Sequence, residues 1–535
     1  VTTLRRAGLE EIMATCWPPR DSTRTTFESI LYRRVPPDLP VREAPAPAHF
    51  GDLNIDQIVA AVTAGRDEYD LKPLFCRPLG DLAEIRYRQQ IMQDVERPEL
   101  FERIVGFADK MRDMRGQLRA AEQAHYRWHK NGLLLGAAVI YCAAVHRLSA
   151  DLAQAEPRSR GFKAFQTWLT GYVGSVAFMA LDADTECLKV ALDAVRYNLV
   201  LHGLAITVRK YQDEIDYSAE IESTFVKFRQ GDVKDYLVKF SEYPEMGHVE
   251  AQIGELVAKL YPQLFSFYEG YCDRYHDFVE PVIHNFDREV QFYLSYLQYV
   301  GRLKSRALQF CYPTVVRDTK AVHGDGVFDL ALAAKLAAEG GTVVPNDFRL
   351  EGGERVVVVS GPNQGGKTTF ARTFGQLHYF ASLGCPVPGS KAQLFLCDQI
   401  LAHFEREEDI ATPHGKLQDD LLRIRAVLEQ ATSDSLLVIN EIFSSTALED
   451  AMFLATEVMQ RVLALGCLCI CVTFLDELAG LDRSVVSMVS TVDLEDPALR
   501  TFKLIRRPAD GRAYAMAIAE KYRLTYRSLK ARLVS

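Results

Sequence analysis

The chain has 535 residues, too many for one hydrophobic core, and about 150 residues per domain suggests three or four compact units. With 48% hydrophobic and 25% charged residues, its composition excludes a disordered or fibrous chain. The formal charge of -9 excludes a uniformly basic nucleic-acid coat, although a local positive groove can still hold phosphates on an acidic protein.

Val1 to Leu9 carry Arg5 and Arg6 but no apolar signal-peptide core, so a cytoplasmic location is expected. Residues 1–54 read as a lead-in. Within them, Pro36 to Pro47 should be extended or irregular, because proline fixes φ and lacks an amide donor. From about Ile55 to Tyr312, glycine and proline are sparse and apolar residues recur at helical spacing, as in Leu100, Ile104, Phe107 and Met111. A nearly all-helical domain over 55–311 is expected. Its longest apolar stretch, Leu133 to Val145, is shorter than the roughly 20 residues needed to cross a bilayer and reads as a buried helix, with no membrane span.

Between Arg209 and Met246 the chain turns polar, and Lys227, Arg229, Lys234 and Lys239 lie among Phe225, Phe228, Tyr236 and Phe240. That mixture either faces nucleic acid or forms an amphipathic helix pair with solvated lysines, the latter favoured by the neighbouring Asp232 and Asp235. After Cys311 short β-rich runs alternate with helices: Val356 to Val359, Leu394 to Leu396, Leu436 to Ile439, Leu468 to Val472 and Val485 to Val492. This is the grammar of a three-layer α/β domain, expected over 312–535. The eleven cysteines have no paired spacing and fit a reduced compartment. Cys467, Cys469 and Cys471 alternate along a predicted strand and read as buried thiols, not a metal knuckle.

Two segments carry chemistry. Gly361-Pro362-Asn363-Gln364-Gly365-Gly366-Lys367-Thr368 fits a phosphate-binding loop between a predicted strand and a helix bearing Phe370, Phe374, Leu377 and Ala381 on one face. Glycines let backbone amides turn toward the phosphates of ATP, Lys367 neutralises the terminal ones, and the Thr368 hydroxyl can ligate Mg2+. Further on, the apolar run Leu436 to Ile439 ends in Asn440-Glu441, where such ATPases place an acidic residue near magnesium and a base beside the attacking water. Glu441 is therefore the candidate general base. Asn440 can hold a magnesium-bound water but supplies no charge, so slow hydrolysis is expected. Thr473-Phe474 follows the next strand, and phenylalanine cannot sense a γ-phosphate by hydrogen bonding.

The run Gly361-Pro-Asn-Gln-Gly-Gly-Lys-Thr-Thr369 resembles the phosphate loop of the MutS family of DNA-repair ATPases, Gly-Pro-Asn-x-Gly-Gly-Lys-Ser/Thr-Thr. Similar residues lie at nearly fixed offsets: Val344-Pro-Asn346-Asp347, Val387-Pro388 and Lys391, Asp409 to Thr412, Ala431 to Ser435, and Asp450. A weaker likeness spans Leu74 to Leu82 and Arg86, Arg88, Gln89 and Gln90, similar to the start of that family's helical core. The resemblance implies an all-α core and lever region followed by an ABC-type P-loop domain. It implies ATP held by residues 361–369 with Asn346, and Mg2+ at Thr368 and, through water, Asn440. It further implies a homodimer through the ATPase domain, with Gly415, Lys416 and Asp450 facing the neighbouring site, and DNA bound by the stretch from Arg209 to Met246.

Departures from the family pattern carry their own expectations. Asn440 stands where the family usually has Asp, Phe474 where it has His, and Gly415-Lys416 where it has a Ser-Thr pair. The adenine-stacking aromatic would fall near Val343, implying aliphatic packing of the base. No stretch before residue 50 accommodates the family's mismatch-reading and connector domains or carries its Phe-x-Glu wedge, and no nuclease-like tail is expected after Tyr526. The reading is thus an ATP-gated DNA-binding protein of repair or recombination that recognises DNA structure. The alternative is an ATP-dependent dimerisation switch or scaffold for a protein partner; a small-molecule kinase would need a lid and acceptor pocket that the helical half does not offer.

Overall fold

The computed structural model describes residues 27–35, 46–203, 205–212, 246–405, 415–493 and 499–509. Helices dominate the first part, and an α/β domain with a mixed sheet follows. The chain folds into two compact units, one formed from 1–27, 97–157 and 162–287, the other from 28–96, 158–161 and 288–535.

In the first unit, helix Pro98–Gln123 buries Leu100, Ile104, Phe107, Met111 and Met114, a stripe at three- and four-residue spacing. It packs along helix Arg127–Ala155, which buries Tyr141, Val145, Leu148 and Leu152. This second helix runs well beyond Leu133 to Val145, and its 29 residues are long and apolar enough to cross a membrane by length and composition alone. In this fold, one of its faces lies in the unit's core. Phe165 stacks on Phe286 with centroids 3.8 Å apart, and the Tyr141 hydroxyl meets that of Tyr172 at 2.9 Å.

The nearly all-helical expectation is corrected here by an antiparallel hairpin, β1 (Tyr197–His202) and β2 (Ala205–Lys210). Tyr197, Leu199 and Leu201 alternate along one face opposite Lys210, Val208 and Ile206, a two-residue period that a helix cannot satisfy. Lys227, Arg229, Lys234 and Lys239, expected at DNA, lie outside the described residues.

The second unit holds strands β3 (Phe310–Cys311), β4 (Thr314–Val316), β5 (Val322–Val327), β6 (Asn346–Leu350) and β7 (Val356–Ser360). It continues with β8 (Val387–Pro388), β9 (Lys391–Phe395), β10 (Ile400–Phe404), β11 (Leu436–Asn440), β12 (Leu468–Val472), β13 (Val485–Val492) and β14 (Arg500–Arg506). The main sheet runs β10-β11-β12-β7-β13-β14, parallel except for β14; a smaller sheet runs β4-β9-β5-β6, and β3 pairs β8. Every residue of β7, β11 and β12 is buried, as a parallel sheet covered on both faces requires. Helix Lys367–Ser382 packs on β11 and β12. Helix Leu448–Leu465 joins Val356, Leu437, Ile439, Cys467, Cys469 and Cys471 in one core, so these thiols are packing groups.

The second unit cuts across the boundaries expected at 55 and 312. Fully buried Arg88 donates through Nε to Leu31 O at 2.9 Å and through Nη1 to Leu383 O at 3.4 Å. The Tyr296 hydroxyl donates to Pro386 O at 2.8 Å, and the Tyr379 hydroxyl to Phe75 O at 2.6 Å. Even Ser29 to Tyr32 are buried here, with the Glu289 carboxylate accepting from Ser29 Oγ and the Ile30 amide. Helix Leu82–Val95, which carries Arg88, and the part of helix Pro281–Lys304 that carries Tyr296 thus belong to the same compact unit as the α/β domain.

Candidate nucleotide site

Strand β7 runs directly into Gly361 to Gly366, and helix Lys367–Ser382 begins at the loop's end. Gly361 at φ +113° and Gly366 at φ +88° adopt left-handed backbone that side chains resist. At Gly361 a Cβ would also come within 2.9 Å of Ser490 O, so β13 backs the loop closely. The Ser490 hydroxyl donates to Gly365 O at 2.7 Å and fixes the other side of the turn. The helix N-terminus thus leaves its first amides open beside the loop, the general requirement for an anion site.

Lys367 is buried, and its Nζ donates to Gly361 O at 3.0 Å and Pro362 O at 3.2 Å, with Asn363 Oδ1 at 3.5 Å. Burial pulls its pKa down, while the nearby Glu441 carboxylate pushes it back up. Thr368 and Thr369 are half-buried in the first helical turn, and Asn363 and Gln364 are exposed at the loop's tip.

The second segment reaches the same edge through sheet register. Asn440 on β11 pairs with Val472 on β12, which pairs with Val359 on β7, immediately before the loop. Asn440 is buried and its Oδ1 has no hydrogen-bond partner among the described residues. Glu441 is half-buried at φ +54°, anchored by its amide donating to Val472 O at 2.9 Å. Phe474 is exposed beyond the end of β12.

Several expected residues stand elsewhere. The Asn346 carboxamide is committed to β14 and not to an open ligand space: it donates to Phe502 O at 3.0 Å and accepts from the Leu504 amide at 2.8 Å. Gly415 precedes helix Lys416–Gln430, and Lys416 is ion-paired with Glu405 within the chain. Asp450 lies exposed in the first turn of helix Leu448–Leu465. Val343 is buried.

Sequence reading passed over Phe502. It is 47% exposed with φ +56°, and its Cβ is 3.8 Å from where a Cβ on Gly366 would stand. Arg500, two residues earlier, donates from Nε to Asn363 O at 3.0 Å. The Thr-Phe-Lys-Leu-Ile run marks a strand, but its approach to the loop depends on pairing across 156 residues through Asn346.

Residues 357–530 match the family profile of MutS domain V. The chain is 32% identical over 193 residues to an endonuclease MutS2 of Gemmatimonas aurantiaca, covering 35% of this chain and 23% of that protein. It is 28% identical over 234 residues to a DNA mismatch repair protein MutS of Erythrobacter litoralis, covering 42% and 26%. Similarity to an endonuclease MutS2 of Thermus thermophilus is 33% over 191 residues, covering 35% and 25%. The matches span about a quarter of these relatives' lengths.

Proposed function

We propose, from the match of residues 357–530 to MutS domain V, that this chain is a MutS-like DNA-binding ATPase of repair or recombination. The observation that carries the reading is the convergence of Lys367, Thr368, Asn440 and Glu441 on one edge of the sheet, around a glycine-built loop. ATP phosphates would take over the bonds that Lys367 Nζ makes with Gly361 O and Pro362 O, and would accept from the loop and helix amides. Glu441 would accept a proton from the attacking water.

The donor set fits Mg2+: the Thr368 hydroxyl can ligate it, and the buried Oδ1 of Asn440, without a hydrogen-bond partner among the described residues, can accept from a water on it. When bound, the ion would neutralise charge on the terminal phosphates. Asn440 adds no negative charge, which supports slow hydrolysis. We further place the protein in the cytoplasm, where its free cysteines stay reduced, as a homodimer through the ATPase domain, with duplex, branched or junction DNA as ligand.

One observation favours a second reading, an ATP-driven switch or scaffold for a protein partner. The β1–β2 hairpin exposes Tyr197, Leu199 and Leu201 on one face, a chemistry better suited to protein than to phosphate. Fluorescence anisotropy with homoduplex, single-mismatch, four-way-junction and single-stranded DNA, across a salt series with and without ATP and magnesium, separates the two. Binding that weakens steeply with salt and changes with ATP supports the DNA reading; no binding at low salt shifts the assignment to the protein-partner reading.

A further inference from the structure

We propose that Asp420 and Glu405 are positioning residues that hold the turn carrying Glu441, so that the side of the domain around helix Lys416–Gln430 sets the geometry of the candidate base. The inference rests on reading Glu441 as that base. It starts from an unusual turn. Glu441 at φ +54° and Phe443 at φ +59° both carry side chains in left-handed backbone, which persists only where the surroundings over-determine it.

The contacts that hold it come from two sides. From β12, Val472 O accepts the Glu441 amide at 2.9 Å. From the opposite side, Asp420 Oδ2 accepts the Phe443 amide at 3.3 Å, and Glu405 Oε1 accepts the Ser444 hydroxyl at 2.7 Å. Ile442 and Phe443 are buried, which leaves the turn little room to relax by itself.

Asp420 is itself built in. It is buried, and its Oδ1 accepts from Arg423 Nη2 at 2.6 Å; Arg423 also donates to Asp419 Oδ2 and to Phe404 O. His403 Nε2 lies 3.3 Å from the same carboxylate. Burial alone would raise the Asp420 pKa, yet these partners hold it below the ordinary carboxylate value. His403 and Phe404 pair in register with Ile439 and Asn440, so the cluster lies beside the strand end that presents Asn440 and Glu441. Glu405, at the end of β10, is held by Lys416 and Ser444, which keep its carboxyl low.

The buried Asp420 and the exposed Glu405 contact the strained turn at two successive residues, which a cluster serving stability alone would have no need to do. Here Asp420 and Glu405 bind Phe443 and Ser444, and the strain they sustain bears directly on the direction of Glu441.

The test uses the full chain with Asp420→Ala, Asp420→Asn, Ser444→Ala, Glu405→Ala and the Ser444→Ala/Glu405→Ala double variant. Three quantities are read: ATP turnover, affinity for a fluorescent ATP analogue, and amide hydrogen exchange of peptides covering 440–446 and 361–368. Asp420→Ala should lower kcat by about ten-fold or more with analogue affinity within about two-fold, a split that general destabilisation would not give. Asp420→Asn keeps a carbonyl acceptor for the Phe443 amide and should recover part of the loss. Exchange should rise in 440–446 and stay constant in 361–368. Ser444→Ala and Glu405→Ala should each lower kcat about three-fold, with the double variant no worse than the poorer single one.

Unchanged kcat in Asp420→Ala, parallel loss of analogue affinity, or unchanged exchange in 440–446 would overturn the proposal. Should Asp420→Ala not fold, the cycle between exposed Ser444 and Glu405 decides, and additive losses there count against it. Equal turnover in wild type and Glu441→Ala would instead remove the base assignment; the exchange measurement would still report whether Asp420 and Glu405 hold the turn.

Discussion

Lys367 folded onto the carbonyls of its own loop is a cation waiting for a stronger acceptor, because two neutral carbonyls only partly offset its burial. Lys367→Ala should therefore abolish ATP binding, a change of at least about a hundred-fold in Kd by isothermal titration. Glu441→Ala should retain binding and accumulate the ATP-bound state, visible as unhydrolysed nucleotide after gel filtration. At Asn440 the buried Oδ1, without a hydrogen-bond partner among the described residues, points to a different test. Asn440→Asp adds the missing charge and should tighten magnesium binding and speed hydrolysis; unchanged or slower turnover would show that the amide is not limiting. Phe502, exposed beside Gly366, offers a flat face on which a nucleobase could rest. Phe502→Ala should raise KM for ATP by about three- to ten-fold, as loss of one stacking contact would, and leave kcat nearly unchanged.

At the scale of elements, the succession of strand, glycine-rich loop and helix was legible because the three are contiguous in sequence and each carries its own local signal. Strand ends β11 and β12 were legible for the same reason: Leu436 to Ile439 and Leu468 to Val472 are continuous apolar runs, as buried parallel strands must be. Asn346 could not be placed this way, since its partners Phe502 and Leu504 are more than 150 residues away and the Thr-Phe-Lys-Leu-Ile run marks β14 as a strand without marking what it pairs with. Asp420 and Glu405 were hidden too, because their role arises only when β10 and β11 align in register. The hairpin is another matter. Leu-Val-Leu and Ile-Thr-Val are short β-prone runs on either side of the turn residue Gly203, so the signal was present but outweighed by the helical spacing on either side. The tight backing of the loop gives its own expectation: Gly361→Ala, which forces φ +113° on a side chain and meets Ser490 O, should destabilise the domain by about 2 kcal/mol or more in urea unfolding.

On the scale of the whole molecule, stability should depend on acidity through buried histidines. Burial lowers the His49 and His378 pKa values to about 4, so both stay neutral in the fold while the unfolded chain takes up protons below about 6.5. Each therefore contributes stability that is lost as pH falls from about 6.5 toward 4, up to about 3 kcal/mol per group. Asp329 acts in the opposite sense: burial raises it to about 6, so its contribution is present below about 4 and fades as pH rises through 6. Glu289, also raised by burial, acts with Asp329, while Asp420, Glu405 and Glu354, held below the ordinary carboxylate value, act with the histidines toward the acid end, and net stability should fall between pH 6 and 4. His378→Leu should flatten that slope in urea titrations; an unaltered slope would show that His378 does not stay neutral.

A glycine-built loop, a candidate base on a strained turn and DNA as the proposed ligand meet in one activity. The most direct measurement is steady-state ATP hydrolysis by wild type and Glu441→Ala, each with and without four-way-junction and homoduplex DNA at low salt. The account expects slow basal turnover in wild type, a change of at least about three-fold on adding one of the DNAs, and no turnover in Glu441→Ala under either condition. Turnover that is indifferent to DNA, or that survives in Glu441→Ala, would contradict it.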